Sequence, residues 1–241
     1  MMYERFAHVY DELMADIPYE NYLAWMVHEV GDLCDKTVVD LGCGTGTLSI
    51  PMAHMGANVT GIDLSQQMID QATTKALEEE AQVAFHCASM TEFVVTSPVD
   101  VVVIAIDSLN YLTDEAQVKQ TFERVFQSLK PGGKLFFDVH SIEKIEAYLD
   151  GPFLYEDEDV AYMWSTERGE EPHSVYHDIT FFVRTEEDVY ERFEEHHYQR
   201  TFEIDSYNKW LREAGFSTVS EAPEIFGTEH AELRHFIQAT K

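Results

Sequence analysis

Five short, almost wholly apolar segments recur in the first 140 residues, and helix-patterned stretches separate most of them. Residues 37–41, 58–63, 83–86, 100–106 and 134–139 read as strands, the fourth being the most apolar. Continuously apolar strands set among helices indicate a parallel sheet covered on both faces. The helices follow from apolar residues at 3.6-residue spacing. Tyr3, Phe6, Ala7, Tyr10, Leu13 and Met14 form one such face, and Tyr22, Leu23, Met26, Val27, Val30 and Leu33 a second. Ser65 is placed to cap a helix carrying Met68, Ile69, Ala72, Ala76 and Leu77, and Val118, Phe122, Val125 and Leu129 mark another. With 241 residues, the chain can bury about two-thirds of its unfolded surface and needs no covalent staples.

The pattern changes after Ser141. Residues 141–205 hold 19 acidic and 5 basic side chains, and residues 160–168, 173–184 and 189–202 read as long strands. Thr185-Glu186-Glu187-Asp188 is a hairpin turn between two of them. Residues 206–214 return to helix, Gly215 caps it, and residues 216–220 and 234–240 make a closing strand pair. The expected organisation is therefore a sheet-and-helix domain of residues 1–140 and 203–241, interrupted by an antiparallel β insert at 141–202.

Val38-Val39-Asp40-Leu41-Gly42-Cys43-Gly44-Thr45-Gly46 spans a strand-to-helix turn. Glycines let the backbone turn tightly and let a ligand approach without a Cβ in the way. The helix beyond offers free N–H groups to an anionic group. Asp63 ends the next strand, where a carboxylate can take both hydroxyls of a ribose. Dinucleotide turns usually read GxGxxG, whereas the spacing here is GxGxG after Asp40, which suits an amino-acid tail in place of a pyrophosphate. The tail's ammonium can meet backbone carbonyls and, directly or through water, Asp40.

On these residues the chain resembles the class I S-adenosylmethionine-dependent methyltransferases. The resemblance implies a doubly wound, mostly parallel seven-stranded sheet (a Rossmann-like methyltransferase fold) whose last strand runs antiparallel. S-adenosylmethionine is the implied cofactor. Gly42, Gly44 and Gly46 would line its methionine end and Asp63 would hold its ribose. Leu64 and Met90 would flank the adenine, and Ile106 would lie beside it or the sulfonium. Leu129-Lys130-Pro131-Gly132-Gly133 and Lys209-Trp210-Leu211-Arg212-Glu213-Ala214-Gly215-Phe216 match the turns and helices before later strands of many members. One departure concerns Ser89, in Ala88-Ser89-Met90-Thr91-Glu92-Phe93, where many relatives carry Asp. A hydroxyl accepts without charge assistance, so the adenine contact should be weaker. Tyr3 and Tyr10, on one helical face, resemble a segment that folds over the cofactor in small-molecule members.

Methyl transfer from a sulfonium is an in-line displacement in which alignment carries much of the catalysis. A base is required only when the acceptor must lose a proton. Asp107, Asn110 and Tyr111, after the fourth strand, are substrate-side candidates; Asp138 and His140 follow the fifth. His140 has the most suitable intrinsic acidity for a catalytic base, against the alternative of an imidazole bonded to local backbone. His196 and His197 are adjacent on an insert strand, so at most one faces the crevice. The insert is the candidate acceptor lid, because it follows the fifth strand.

Charge narrows the partners. Sixteen Lys and Arg against 45 Asp and Glu give a net charge of -29. Such a chain repels phosphate backbones and anionic membrane surfaces. The Pro-Pro-aromatic motif of many base-directed methylators is also missing after the fourth strand. A small-molecule acceptor is thus expected, with a nucleic-acid or protein methyltransferase, a nicotinamide oxidoreductase and a non-catalytic cofactor-binding regulator as rivals. Cys34, Cys43 and Cys87 form no CxxC pair, and no His/Cys spacing suits a metal, so neither a disulfide framework nor a metal site is expected. No secretory signal or membrane span is read, which points to the cytoplasm, and a homodimer through the insert is left open.

Overall fold

The computed structural model describes residues 19–186, 189–222 and 233–241. Residues 3–14, with Tyr3 and Tyr10, and the tip of the 185–188 turn lie outside the described residues.

Five strands run parallel: β1 (Thr37–Leu41), β2 (Asn58–Asp63), β3 (Val83–Cys87), β4 (Val99–Ile104) and β5 (Leu129–His140). Two closing strands, β10 (Thr218–Glu221) and β11 (Arg234–Thr240), complete one seven-stranded sheet in the order β10-β11-β5-β4-β1-β2-β3. Only β11 runs against its neighbours, pairing Arg234 with His140 and Thr240 with Lys134. The order reverses between β1 and β4, and in open α/β sheets ligands bind outside the carboxyl ends at that switch.

The apolar strands have the expected consequence. Val101, Val102, Val103 and Ile104 of β4 are fully buried. One face is covered by α1 (Tyr19–Val30), whose Tyr22, Trp25 and Met26 recur at i, i+3, i+4 and are buried. Trp25 meets Phe136 edge-on at 5.0 Å. The other face is covered by α4 (Glu115–Ser128) through Val118, Phe122 and Val125, and by α6 (Ile204–Ala214) through Tyr207, Trp210 and Leu211. Each such side chain contributes about 1.5–3 kcal/mol of transfer free energy. Between them, α2 (Ser49–His54) follows the glycine turn and α3 (Gln66–Glu78) follows β2. Ser65 caps α3 by accepting from Met68 N–H, and Gly215 ends α6 at φ +113°.

The insert is a four-stranded antiparallel sheet: β6 (Phe153–Glu156), β7 (Val160–Arg168), β8 (Ser174–Glu186) and β9 (Val189–Arg200). Three elements are shorter than sequence periodicity can register: β6, α5 (Ile142–Tyr148) and a 3-10 turn at Ser108–Tyr111. Two boundaries also move. The fifth strand begins at Leu129, which pairs with Val99; residues 130–133 then bulge out of the ladder, and Lys134 resumes it opposite Val101. The fourth ends at Ile104, because Ile106 and Asp107 turn into the left-handed region.

Candidate active site at the carboxyl edge

The glycine turn after β1 lies at the switch point. Gly42 and Gly44 have φ of +84° and +53°, which an L side chain adopts only at a cost. At Gly42 space forbids a side chain as well: a Cβ would stand 2.6 Å from Met90 Cε and 2.8 Å from Ser108 Cβ. A Cβ at Gly44 would meet nothing within 4 Å, so that position faces open space. Ser108 Oγ donates to Ala105 O at 2.7 Å and Gly42 O at 3.3 Å, tying this turn to the loop after β4. A cavity of about 50 Å³ opens here, with Tyr19, Asp40, Gly42, Gly44, Ile106 and Ser108 among its lining.

Two carboxylates frame the turn, one half-buried and one buried. Asp63 accepts Gly44 N–H at 2.9 Å on one oxygen and Ser65 N–H at 2.8 Å on the other. The two oxygens of a carboxylate offer about four acceptor sites, so two remain for ligand hydroxyls. Asp40 is buried beneath the turn and accepts Ser49 Oγ at 2.6 Å. Burial, opposed by the Ser49 bond and aided by Asp63, pushes its carboxyl up to about 7. Leu64 is exposed at the rim, while Met90 packs beside Gly42 and Ser89 Oγ lies 2.8 Å from Thr91 Oγ1. This donor and acceptor set fits an amino-acid tail with a ribose: a side-chain-free turn, a buried acid below and a half-buried carboxylate one strand over.

Beyond β4 the backbone is strained. Ile106 and Asp107 have φ of +56° and +48°, and a β-branched residue there is an outlier. Such a turn costs about 1–3 kcal/mol per residue and persists only when its surroundings dictate it. Here a buried charge network does. Asp138 accepts Asp107 N–H at 3.0 Å and Arg234 Nη1 at 2.5 Å on one oxygen, and the Tyr22 hydroxyl on the other. Arg234 Nη2 reaches Asp107 Oδ1 at 2.7 Å. Asp107 Oδ2 accepts Gln199 Nε2 at 2.8 Å and lies 3.3 Å from His140 Nε2. Burial opposes ionisation of Asp107, but His140 and Arg234 hold its carboxyl well below the usual range. Burial, reinforced by Asp138, raises the Tyr22 phenol, so it remains a donor.

The substrate-side candidates separate into two kinds. Asn110 is buried, accepting His140 N–H at 3.0 Å and donating to Arg200 O at 2.8 Å, so both ends of its amide are engaged within the protein. His140 is 1% exposed behind Asp107. Tyr111 is half-exposed, its hydroxyl 3.1 Å from His197 Nδ1, while His197 Nε2 lies 2.9 Å from Glu195 Oε2. Of the adjacent insert histidines, His197 turns toward Tyr111 and His196 pairs with exposed Asp178. Sequence reasoning missed Arg234, Tyr22, Gln199 and Glu195. The available signal was charge: Asp107 follows one apolar strand and Asp138 lies near the carboxyl end of its neighbour, and both must find a cation.

Comparison with known proteins agrees with this geometry. A family described as methyltransferase domain matches residues 38–133. A protein of Geobacillus sp. (strain WCH70), provisionally named a methyltransferase, is 43% identical over 233 residues, covering 95% of this chain and 94% of that one. A Bacillus subtilis (strain 168) protein with the same provisional name is 41% identical over 231 residues, covering 95% and 92%. Among solved structures, an S-adenosylmethionine-dependent methyltransferase from Clostridium acetobutylicum ATCC 824 superposes with a TM-score of 0.85 at 28% identity, covering 100% of this chain and 99% of that one.

Proposed function

The chain belongs to the S-adenosylmethionine-dependent methyltransferases, and from that premise we propose that it methylates a small molecule held between the 106–111 loop and the inner face of the insert sheet. S-adenosylmethionine supplies, when bound, a methyl group already activated on a sulfonium. In this reading Gly42, Gly44 and Gly46 receive the amino-acid tail, with Asp40 beneath them. Asp63 takes the ribose hydroxyls, and Leu64, Ser89 and Met90 border the base. Tyr3 and Tyr10 keep the covering role expected from sequence.

One observation carries the acceptor's place. The insert sends Gln199 and His197 from β9 onto Asp107 and Tyr111, so its inner face closes over the loop beside Ile106. Residues 141–202 thus serve as the substrate lid of a domain built from 1–140 and 203–241. Asp107, fixed on three sides, orients that loop, and His140, packed behind Asp107, positions that carboxylate. Asn110 joins the lid to β5. A small acceptor also suits the net charge of -29, which opposes docking on nucleic acid. Among the described residues no helix is long and apolar enough to cross a membrane.

A metabolite extract split by size, incubated with the protein and S-adenosylmethionine, tests the reading. Release of S-adenosylhomocysteine should follow the low-mass fraction. Release from the protein or nucleic-acid fraction alone would refute it.

A further inference from the structure

We propose that Tyr111, His197 and Glu195 form a proton relay that takes the proton of the acceptor's nucleophile. The enzyme would then serve acceptors whose nucleophilic oxygen or nitrogen still carries hydrogen. The proposal rests on the acceptor lying between the 106–111 loop and the insert.

The three groups come from two distant parts of the chain. Tyr111 closes the 3-10 turn after β4, and Glu195 and His197 are two residues apart on β9, so both face the same side of the insert. Glu195 Oε2 at 2.9 Å accepts the Nε2–H of His197, which fixes the tautomer and leaves Nδ1 as a lone pair. That lone pair, 3.1 Å from the Tyr111 oxygen, accepts the phenolic hydrogen. The oxygen of Tyr111 is then free to accept a hydrogen from a bound molecule. The half-exposed ring puts that oxygen within reach of a ligand. His140, by contrast, is sealed behind Asp107.

The phenol does not act as a free phenolate. Burial, then Asp107, Glu195, Tyr148 and Asp63, raise its pKa above the ordinary value. Tyr111 therefore gains one proton as it gives up another. The nucleophile's lone pair forms the bond to the methyl carbon, and the sulfur keeps the electrons of the broken S–C bond. The nucleophile's proton moves to Tyr111, the phenolic proton moves to His197 Nδ1, and the imidazolium rests against Glu195. His197 and Glu195 side chains are 27% and 20% exposed, so that proton can return to water. The groups facing His197 are Tyr111 from the turn, Glu195 from its own strand and His177 across the β8–β9 pair.

The test uses the full chain, labelled with 15N-histidine and saturated with S-adenosylhomocysteine. The expected spectrum shows His197 as the Nε2–H tautomer, with Tyr111→Phe moving Nδ1 to its unbonded position and Glu195→Gln removing the tautomer preference. An Nδ1–H tautomer, or an Nδ1 resonance indifferent to Tyr111→Phe, would overturn the relay. A second arm measures S-adenosylhomocysteine release from a panel of phenols, aliphatic alcohols, primary amines, tertiary amines and thioethers. Release should come from the first three classes, with Tyr111→Phe lowering kcat about 100-fold or more. His197→Asn should abolish the acid limb of the pH profile while the KM for S-adenosylmethionine stays unchanged. Release confined to tertiary amines and thioethers, release from no class, or an unaltered pH profile would each overturn it. Failure to bind S-adenosylhomocysteine would remove the reading of the crevice and the relay with it; binding with the wrong tautomer would remove the relay alone.

Discussion

At the scale of single residues, the site is a set of groups held in states they would not choose in water. Asp40 is one. Unfolded, its carboxyl ionises near 3.9, whereas burial keeps it protonated up to about 7. The native state therefore binds the extra proton between those values. The stability this supplies is complete below about pH 4 and is lost as pH rises through 7, a swing on the order of 4 kcal/mol. Asp40→Asn should consequently gain in melting temperature on the parent protein from pH 5 to pH 8. Parallel melting curves across that range would show that Asp40 is already ionised. Gly42→Ala meets both a left-handed φ and a side-chain clash, so it should lower stability by about 2 kcal/mol or more, read by urea unfolding. Gly44→Ala, with open space at its Cβ, should cost only about 1–2 kcal/mol; equal losses would contradict the crowding seen at Gly42. The turn itself was legible because three glycines in five residues have few other uses. The partnership of Tyr111 with His197 was not, since 86 residues separate them and only strand register brings them together.

At the scale of elements, the antiparallel strand β11 does more than close the sheet. Its first residue, Arg234, supplies the cation for two carboxylates at the ends of neighbouring elements, Asp107 and Asp138. Removing one partner of a buried pair leaves an uncompensated charge costing about 3–5 kcal/mol. Arg234→Met should therefore destabilise the fold by about that amount in denaturant unfolding, and the added substitution Asp138→Asn should recover part of it. An effect below about 1 kcal/mol would show the network to be solvent-screened. The apolar strands and amphipathic helices were readable because burial on two faces or one leaves a distinct periodicity. The short elements α5 and β6 were not, because four to seven residues hold at most two turns of helix or two steps of a strand. Ile106 and Asp107 were read as the end of a strand and the start of a loop; their left-handed backbone is imposed by Asp138, Arg234 and Gln199 and has no local sequence signature.

At the scale of the whole molecule, a net charge of -29 on 241 residues works against compaction. Raising sodium chloride from 0.05 to 0.5 M should raise the melting temperature by screening this repulsion; a fall would mean that attractive surface pairs dominate. The two sheets meet at the carboxyl edge, and the account places the cofactor on the parallel sheet and the acceptor between the sheets. Its central claim is that Asp63 holds the sugar of an adenosyl ligand whose tail lies on residues 42–46. Isothermal titration with S-adenosylhomocysteine tests that claim most directly. The account predicts saturable one-to-one binding to the parent protein and affinity weakened about 10- to 100-fold in Asp63→Ala, the loss expected for hydrogen bonds to a charged group. Equal affinity in the two proteins, with Asp63→Ala still folded by its melting transition, would contradict it.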